Sequence, residues 1–136
     1  MRVETRARAR ALQALYAWEM RAGKDLMKIA NEVWDDLAVH PDERKIAVGL
    51  VRAVAAHFTK LDADLSEVTT NWRLERIGAI ERSVLRLGAA ELGSGQTPPR
   101  VVIKESVRLA ERFGSEESAR FVNGVLDAYA RRTGMI

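Results

Sequence analysis

Apolar residues recur at spacings of three and four through nearly every segment of this chain, and that periodicity decides most of what it can fold into. No segment sustains the alternation of apolar and polar residues that a half-buried strand needs. An all-α fold follows. A first helix is predicted from about Thr5 to Arg21, with Ala7, Ala11, Leu12, Leu15 and Trp18 inward and Gly23 ending it. A second covers Asp25 to Leu37 on a stripe of Leu26, Ile29, Ala30 and Val33. His40-Pro41-Asp42 marks a break and restart, because proline suits the first turn of a helix and disfavours helical geometry just before it. The next helix runs through Ala47, Leu50, Val51, Val54 and Phe58, and a brief stripe of Leu61, Leu65 and Val68 leads into the polar turn Thr69-Thr70-Asn71.

A further helix carries Ile77, Ile80, Val84, Leu85 and Leu87, and residues 93–99, rich in glycine and proline, form a loop. Beyond it Val102, Ile103, Ser106, Val107 and Ala110 share one helical face that Gly114 closes. Ser115 then caps a last helix whose first turn holds Glu116 and Glu117, where the helix dipole favours negative charge. Phe121, Val122, Val125, Leu126 and Tyr129 are its apolar face. The expectation is about seven helices in a single domain spanning residues 1–136.

Several classes of chemistry are poorly supplied. There is no cysteine, which removes thiol nucleophiles, disulfides and zinc-thiolate sites and suits a reducing compartment. The two histidines, His40 and His57, sit apart at a helix break and on a helix, so no metal set is expected. Gly93-Ser94-Gly95 lacks both the following lysine with serine or threonine and the preceding strand that a phosphate-cradling loop requires. Adjacent carboxylates such as Asp35-Asp36 and Glu116-Glu117 diverge by about 100° on a helix and make no acid–base pair. Neither enzymatic activity nor a cofactor is expected. No apolar run approaches the roughly 18 residues that span a bilayer, so a cytoplasmic protein is expected, with no membrane partner.

Charge is more informative. The sequence pI of about 9.6 reflects arginines bunched at Arg2, Arg6, Arg8 and Arg10 and again at Arg131 and Arg132. At 100° per residue Arg2, Arg6, Arg10 and Gln13 gather in roughly one quarter of the helical wheel, opposite Ala11, Leu12 and Leu15. Arg8 falls on the apolar side and is expected to extend past the edge of the bundle. Solvated faces normally mix signs, but between Glu4 and Glu19 there is no acidic residue. The small neighbours Ala7, Ala9 and Ala17 would let a polyanion approach while guanidinium groups reach phosphate or stack on bases. No helix is marked by several polar base-reading residues, so single-stranded RNA is a better fit than a DNA groove. A merely solvated helix end is the bland alternative.

Three blocks of the sequence resemble the NusB family, and the resemblance covers essentially the whole chain. They are the opening Arg6-Ala7-Arg8-Ala9-Arg10-Ala11-Leu12-Gln13-Ala14-Leu15-Tyr16, the middle Trp72-Arg73-Leu74-Glu75-Arg76-Ile77 with Glu81-Arg82-Ser83-Val84-Leu85-Arg86-Leu87 and Glu91-Leu92, and the closing Phe113-Gly114-Ser115-Glu116-Glu117-Ser118-Ala119-Arg120-Phe121-Val122-Asn123-Gly124-Val125-Leu126-Asp127. The resemblance implies seven helices in two small packed bundles. It also implies a transcription antitermination factor that binds boxA-type RNA with NusE, a small-subunit ribosomal protein, in a complex with RNA polymerase at ribosomal RNA operons. Carried onto this chain, it makes Arg6, Arg8, Arg10, Glu117, Arg120 and Phe121 RNA-contacting residues, and Tyr16, Glu75 and Glu81 the NusE-facing set. A carboxylate at Glu117 would accept from base edges while Arg120 neutralises the backbone; Glu116, Phe121 and Asn123 serve equally well as helix-stabilising or packing residues. Ala90 departs from a position where an aromatic residue is common, and Lys104 from one where asparagine is common. A similar helical domain precedes some ribosomal RNA cytosine methyltransferases, but the cysteine that chemistry needs is absent here. A structural homodimer covering the arginine stripe is the other alternative.

Overall fold

The computed structural model describes residues 2–22, 25–69 and 77–136. Among them are seven α-helices and no strand: α1 (Val3–Met20), α2 (Leu26–Asp36), α3 (Pro41–Ala56), α4 (Phe58–Val68), α5 (Ala79–Ser94), α6 (Pro99–Phe113) and α7 (Glu116–Arg132). The expected helical class is the observed one. Gly23, residues 70–71 of the expected turn and the segment 72–76, with Glu75, lie outside the described residues.

Side-chain caps set the starts of α2, α3 and α7. Asp25 accepts the Lys28 backbone N–H at 3.1 Å to begin α2, and Ser115 does the same for Ser118 at the start of α7. At α3 the cap is His40, whose Nδ1 accepts the Asp42 backbone N–H at 3.1 Å, with Pro41 in the first turn. The expected loop at 93–99 is shorter than the glycines suggested. Gly93 and Ser94 finish α5, and Gly95 ends it in the left-handed region at φ 70°, a conformation that glycine adopts without strain. Pro99 already belongs to α6. The helix expected to pass through Phe58 ends at Ala56, because the chain turns at His57 and Phe58 opens α4. Val54, Phe58 and Leu61 keep helical spacing across that turn, so periodicity carried no trace of it.

The helices pack as two groups. Helices α1, α2 and α3 lie against one another, α6 and α7 form a hairpin through Gly114 and Ser115, and α5 touches members of both groups. One hydrophobic cluster runs through both, from Leu12, Leu15, Trp34 and Val51 to Leu85, Val102, Val122 and Leu126. Each such large side chain withdrawn from water contributes about 1.5–3 kcal/mol. On α1 the fully buried residues Ala7, Ala11 and Ala14 bring neighbouring helices close to its backbone. There the Trp34 Nε1–H donates to the Arg10 carbonyl at 3.0 Å, fixing α2 against the basic segment. No helix among the described residues is long and apolar enough to cross a membrane.

Candidate nucleic-acid interface

The arginine stripe of α1 exists, but it is not an unanswered one. Arg6 is exposed and Arg10 half-buried, and both reach the same carboxylate from α3. Arg6 Nε donates to Glu43 Oε1 at 2.6 Å, Arg10 Nε donates to Glu43 Oε2 at 3.3 Å, and Arg10 also donates to Gln13 at 3.3 Å. Glu43 is brought here by the His40 cap and Pro41, which start α3 beside α1. The hydrogen bond from Arg6, reinforced by Arg10, holds its carboxyl below the ordinary 4.5 against the opposing effect of burial. The expectation of an unbalanced stripe is thereby corrected: the chain between Glu4 and Glu19 has no acid, but the fold supplies one from α3. Two arginines held by one carboxylate keep an excess positive charge with fixed guanidinium planes.

Arg8 is the clearest correction. It does not extend past the bundle edge; its side chain is 9% exposed and sits between α1, α5 and α6. Its Nε and Nη2 donate to the two oxygens of Glu91 at 2.9 and 2.5 Å, and Glu105 lies 3.5 Å away. Thr5 Oγ1 donates to Glu105 at 2.7 Å. The Glu91 hydrogen bond, outweighing burial, raises the guanidinium pKa further, so Arg8 is charged at any working pH. The apolar side of α1 accepts an arginine because two carboxylates meet it there.

A second interior network was not visible in the sequence. Glu19 of α1 receives bidentate hydrogen bonds from Arg82 at 3.0 and 2.8 Å and one from Arg86 at 2.6 Å, and Arg86 grips Asp62 of α4 at 2.9 and 3.0 Å. Arg82 also donates to the Ile77 carbonyl, and the Arg86 guanidinium lies 4.4 Å from the Phe58 ring centre. Burial pushes the Glu19 carboxyl up, but the two arginines more than reverse this and leave it below its ordinary value. The available signal was arginine at i, i+4 beside the apolar residues Val84, Leu85 and Leu87 of α5.

The remaining predicted residues fall in two places. Tyr16 is exposed on α1 and, with Met20 one turn on, makes an apolar patch beyond the basic stripe. Glu81, in the first turn of α5, accepts a hydrogen bond from Ser118 Oγ at 3.0 Å. That contact closes one side of a cleft of about 450 Å³ lined by Glu81, Glu117, Phe121 and Ser115. Glu81 and the pair Glu117 and Phe121, expected to serve different partners, therefore share one cleft. Gly114 lets α7 begin so near: a Cβ there would stand 2.7 Å from Ser118 Oγ and 2.8 Å from the Ala110 carbonyl. Arg120 is exposed and has no ion pair among the described residues. Glu75 lies outside them.

The outer face of α6, opposite its apolar stripe, is basic. There Arg100, Lys104, Arg108 and Arg112 recur every fourth residue, all exposed. Among the described residues no three histidine, aspartate or glutamate side chains gather as a metal site would require, and His40 is used as a helix cap.

Seven helices among the described residues, over a continuous core and with basic residues along the outer faces of α1 and α6, define a small all-α protein. The NusB family model matches residues 5–131, and the chain belongs to that family. It is 44% identical over 129 residues to the transcription antitermination protein NusB of Anaeromyxobacter dehalogenans (strain 2CP-1 / ATCC BAA-258), covering 93% of this chain and 89% of that one. It is 40% identical to that of Sorangium cellulosum (strain So ce56) over 137 residues, 100% of this chain and 97% of the relative. Among solved structures, the antitermination factors NusB and NusE in complex with dsRNA superpose with a TM-score of 0.87 at 30% identity, covering 97% of this chain and 98% of that one. The solution structure of NusB from Aquifex aeolicus gives 0.84 at 32% identity, over 96% and 89%.

Proposed function

We propose that this chain is a non-catalytic transcription antitermination factor of the cytoplasm that binds boxA-type single-stranded RNA together with NusE and joins RNA polymerase at ribosomal RNA operons. The observation that carries the reading is the close match, over nearly the whole chain, to a family member solved with NusE and dsRNA. The continuous core supports residues 1–136 acting as one unit.

Arg6 and Arg10 are the backbone contacts on α1, with Glu43 fixing how their guanidinium groups are presented. Arg8, held by Glu91 and Glu105, acts from beneath as a positioning residue that sets the pitch of α1 against α5 and α6. At the other end Glu117 offers an acceptor to a base edge, Phe121 a stacking surface and Arg120 a phosphate partner. Tyr16, Glu75 and Glu81 face NusE. Since Glu81 is hydrogen-bonded to Ser118, a protein docked on the start of α5 would also brace the start of α7, where RNA is read. This favours joint binding of the two partners over either alone.

The test titrates single-stranded boxA-type RNA, its duplex and a scrambled strand with and without NusE, while molecular mass in solution is followed. The expected result is a boxA-specific ternary complex tighter than either binary one. Equal affinity for the scrambled strand, or an RNA-excluding dimer of this chain, would contradict the reading.

A further inference from the structure

The carboxylates that answer the arginines of α1 leave the cations of α6 largely unengaged. Lys104 and Arg100 have no ion pair among the described residues, Arg112 lies over the ring of its neighbour Phe113, and Arg108 meets only Glu105, at 3.6 Å. These four side chains form a ridge about 18 Å long at 1.5 Å per residue. A groove of about 590 Å³ separates the ridge from α1, and Arg2, Lys104, Arg108 and Arg112 border it. On the other flank a groove of about 530 Å³ lies between Arg100, Lys104 and Arg108 and the Asn123 and Asp127 side of α7. Four carboxylates are near, and one of them, Glu4, lies 3.8 Å from Arg2. Glu105 is already engaged by Thr5, Arg8 and Arg108; Asp127 is paired with Arg131 at 2.8 Å; Glu111 stands exposed near the end of the helix. The balance on the ridge stays positive.

We propose that Lys104, Arg108 and Arg112 of α6 form a phosphodiester-binding track running between the α1 stripe and the start of α7, holding the RNA backbone without reading its sequence. The proposal rests on the RNA-binding reading above and extends its footprint to a face that reading does not use. Exposed cations at regular spacing, whose one aromatic neighbour, Phe113, is already covered by Arg112, suit phosphates and not bases. Continuity with Arg2 across the groove toward α1 favours a strand over an acidic protein.

The experiment measures the salt dependence of RNA affinity, with NusE present, for the wild type, Lys104→Gln and the triple variant Lys104→Gln/Arg108→Gln/Arg112→Gln. Both boxA-type and scrambled single strands are used. At about 0.7 per phosphate contact, the slope of log affinity against log salt is expected to fall by about 0.7 in the single variant and about 2 in the triple. The preference for boxA over scrambled RNA is expected to stay unchanged. Lys104 has no ion pair to lose, so the single variant decides the matter should the triple fail to fold. An unchanged slope, a collapsed sequence preference, or loss of NusE binding would each overturn the track. Absence of RNA binding by the wild type would overturn the underlying reading as well.

Discussion

Helices α1 and α6 both carry basic residues every fourth position, yet the fold treats them in opposite ways. On α1 the charges are fixed from below and beside: Arg8 by Glu91 and Glu105, Arg6 and Arg10 by Glu43. On α6 they stand in solvent with little to hold them. An arginine set in place by a carboxylate loses part of its free charge and gains a defined direction; a free one keeps its charge and its mobility. The first arrangement suits orientation of a partner, the second suits attraction.

The largest expected consequence lies in stability. Arg8→Ala would strand the Glu91 carboxylate in the interior, and removing one member of a buried pair costs about 3–5 kcal/mol. Lys104→Ala on α6 should change stability by no more than about 0.5 kcal/mol. Urea unfolding of both variants measures the contrast directly, and equal midpoints would erase it.

Glu43→Gln should have an intermediate effect, about 1–3 kcal/mol at neutral pH, since the charge-assisted bonds from Arg6 and Arg10 weaken together. Its pH dependence sharpens the point. The carboxyls of Glu43 and Glu19 are held below 4.5 in the folded chain, so their contribution is complete above the unfolded value and fades as pH falls through the folded ones. Wild-type stability should therefore drop steeply on acidification below about pH 4.5, and Glu43→Gln should show a shallower drop. Urea midpoints across that range that run parallel for the two proteins would show that Glu43 is not held this way.

How much of this was legible follows from where the partners lie along the chain. The helices were readable because caps and apolar spacing are local: Asp25, His40-Pro41 and Ser115 each act within three residues of themselves. The turn at His57 was not, because the apolar pattern runs straight through it. The stripe on α1 was legible as geometry but not as electrostatics. Glu43 lies 37 residues from Arg6, and Glu91 lies 83 from Arg8, so no count of neighbouring charges could anticipate either. The same blindness hid the Glu19, Arg82, Arg86 and Asp62 network. The α6 ridge, by contrast, is written at four-residue spacing in the sequence, and only the structure shows that most of its charges remain unpaired while those of α1 do not.

The proposed role of Arg6 and Arg10, set in place by Glu43, is to hold RNA. Removing both arginines would strand Glu43, so the variant Arg6→Ala/Arg10→Ala is best made alongside Glu43→Gln and compared with Glu43→Gln alone. The decisive measurement is the affinity of each for boxA-type RNA, with NusE present, across a range of salt. Weaker binding is expected, with a slope of log affinity against log salt reduced by about 1.4 and the helical circular dichroism signal preserved. Unchanged affinity and slope in a folded variant would contradict it.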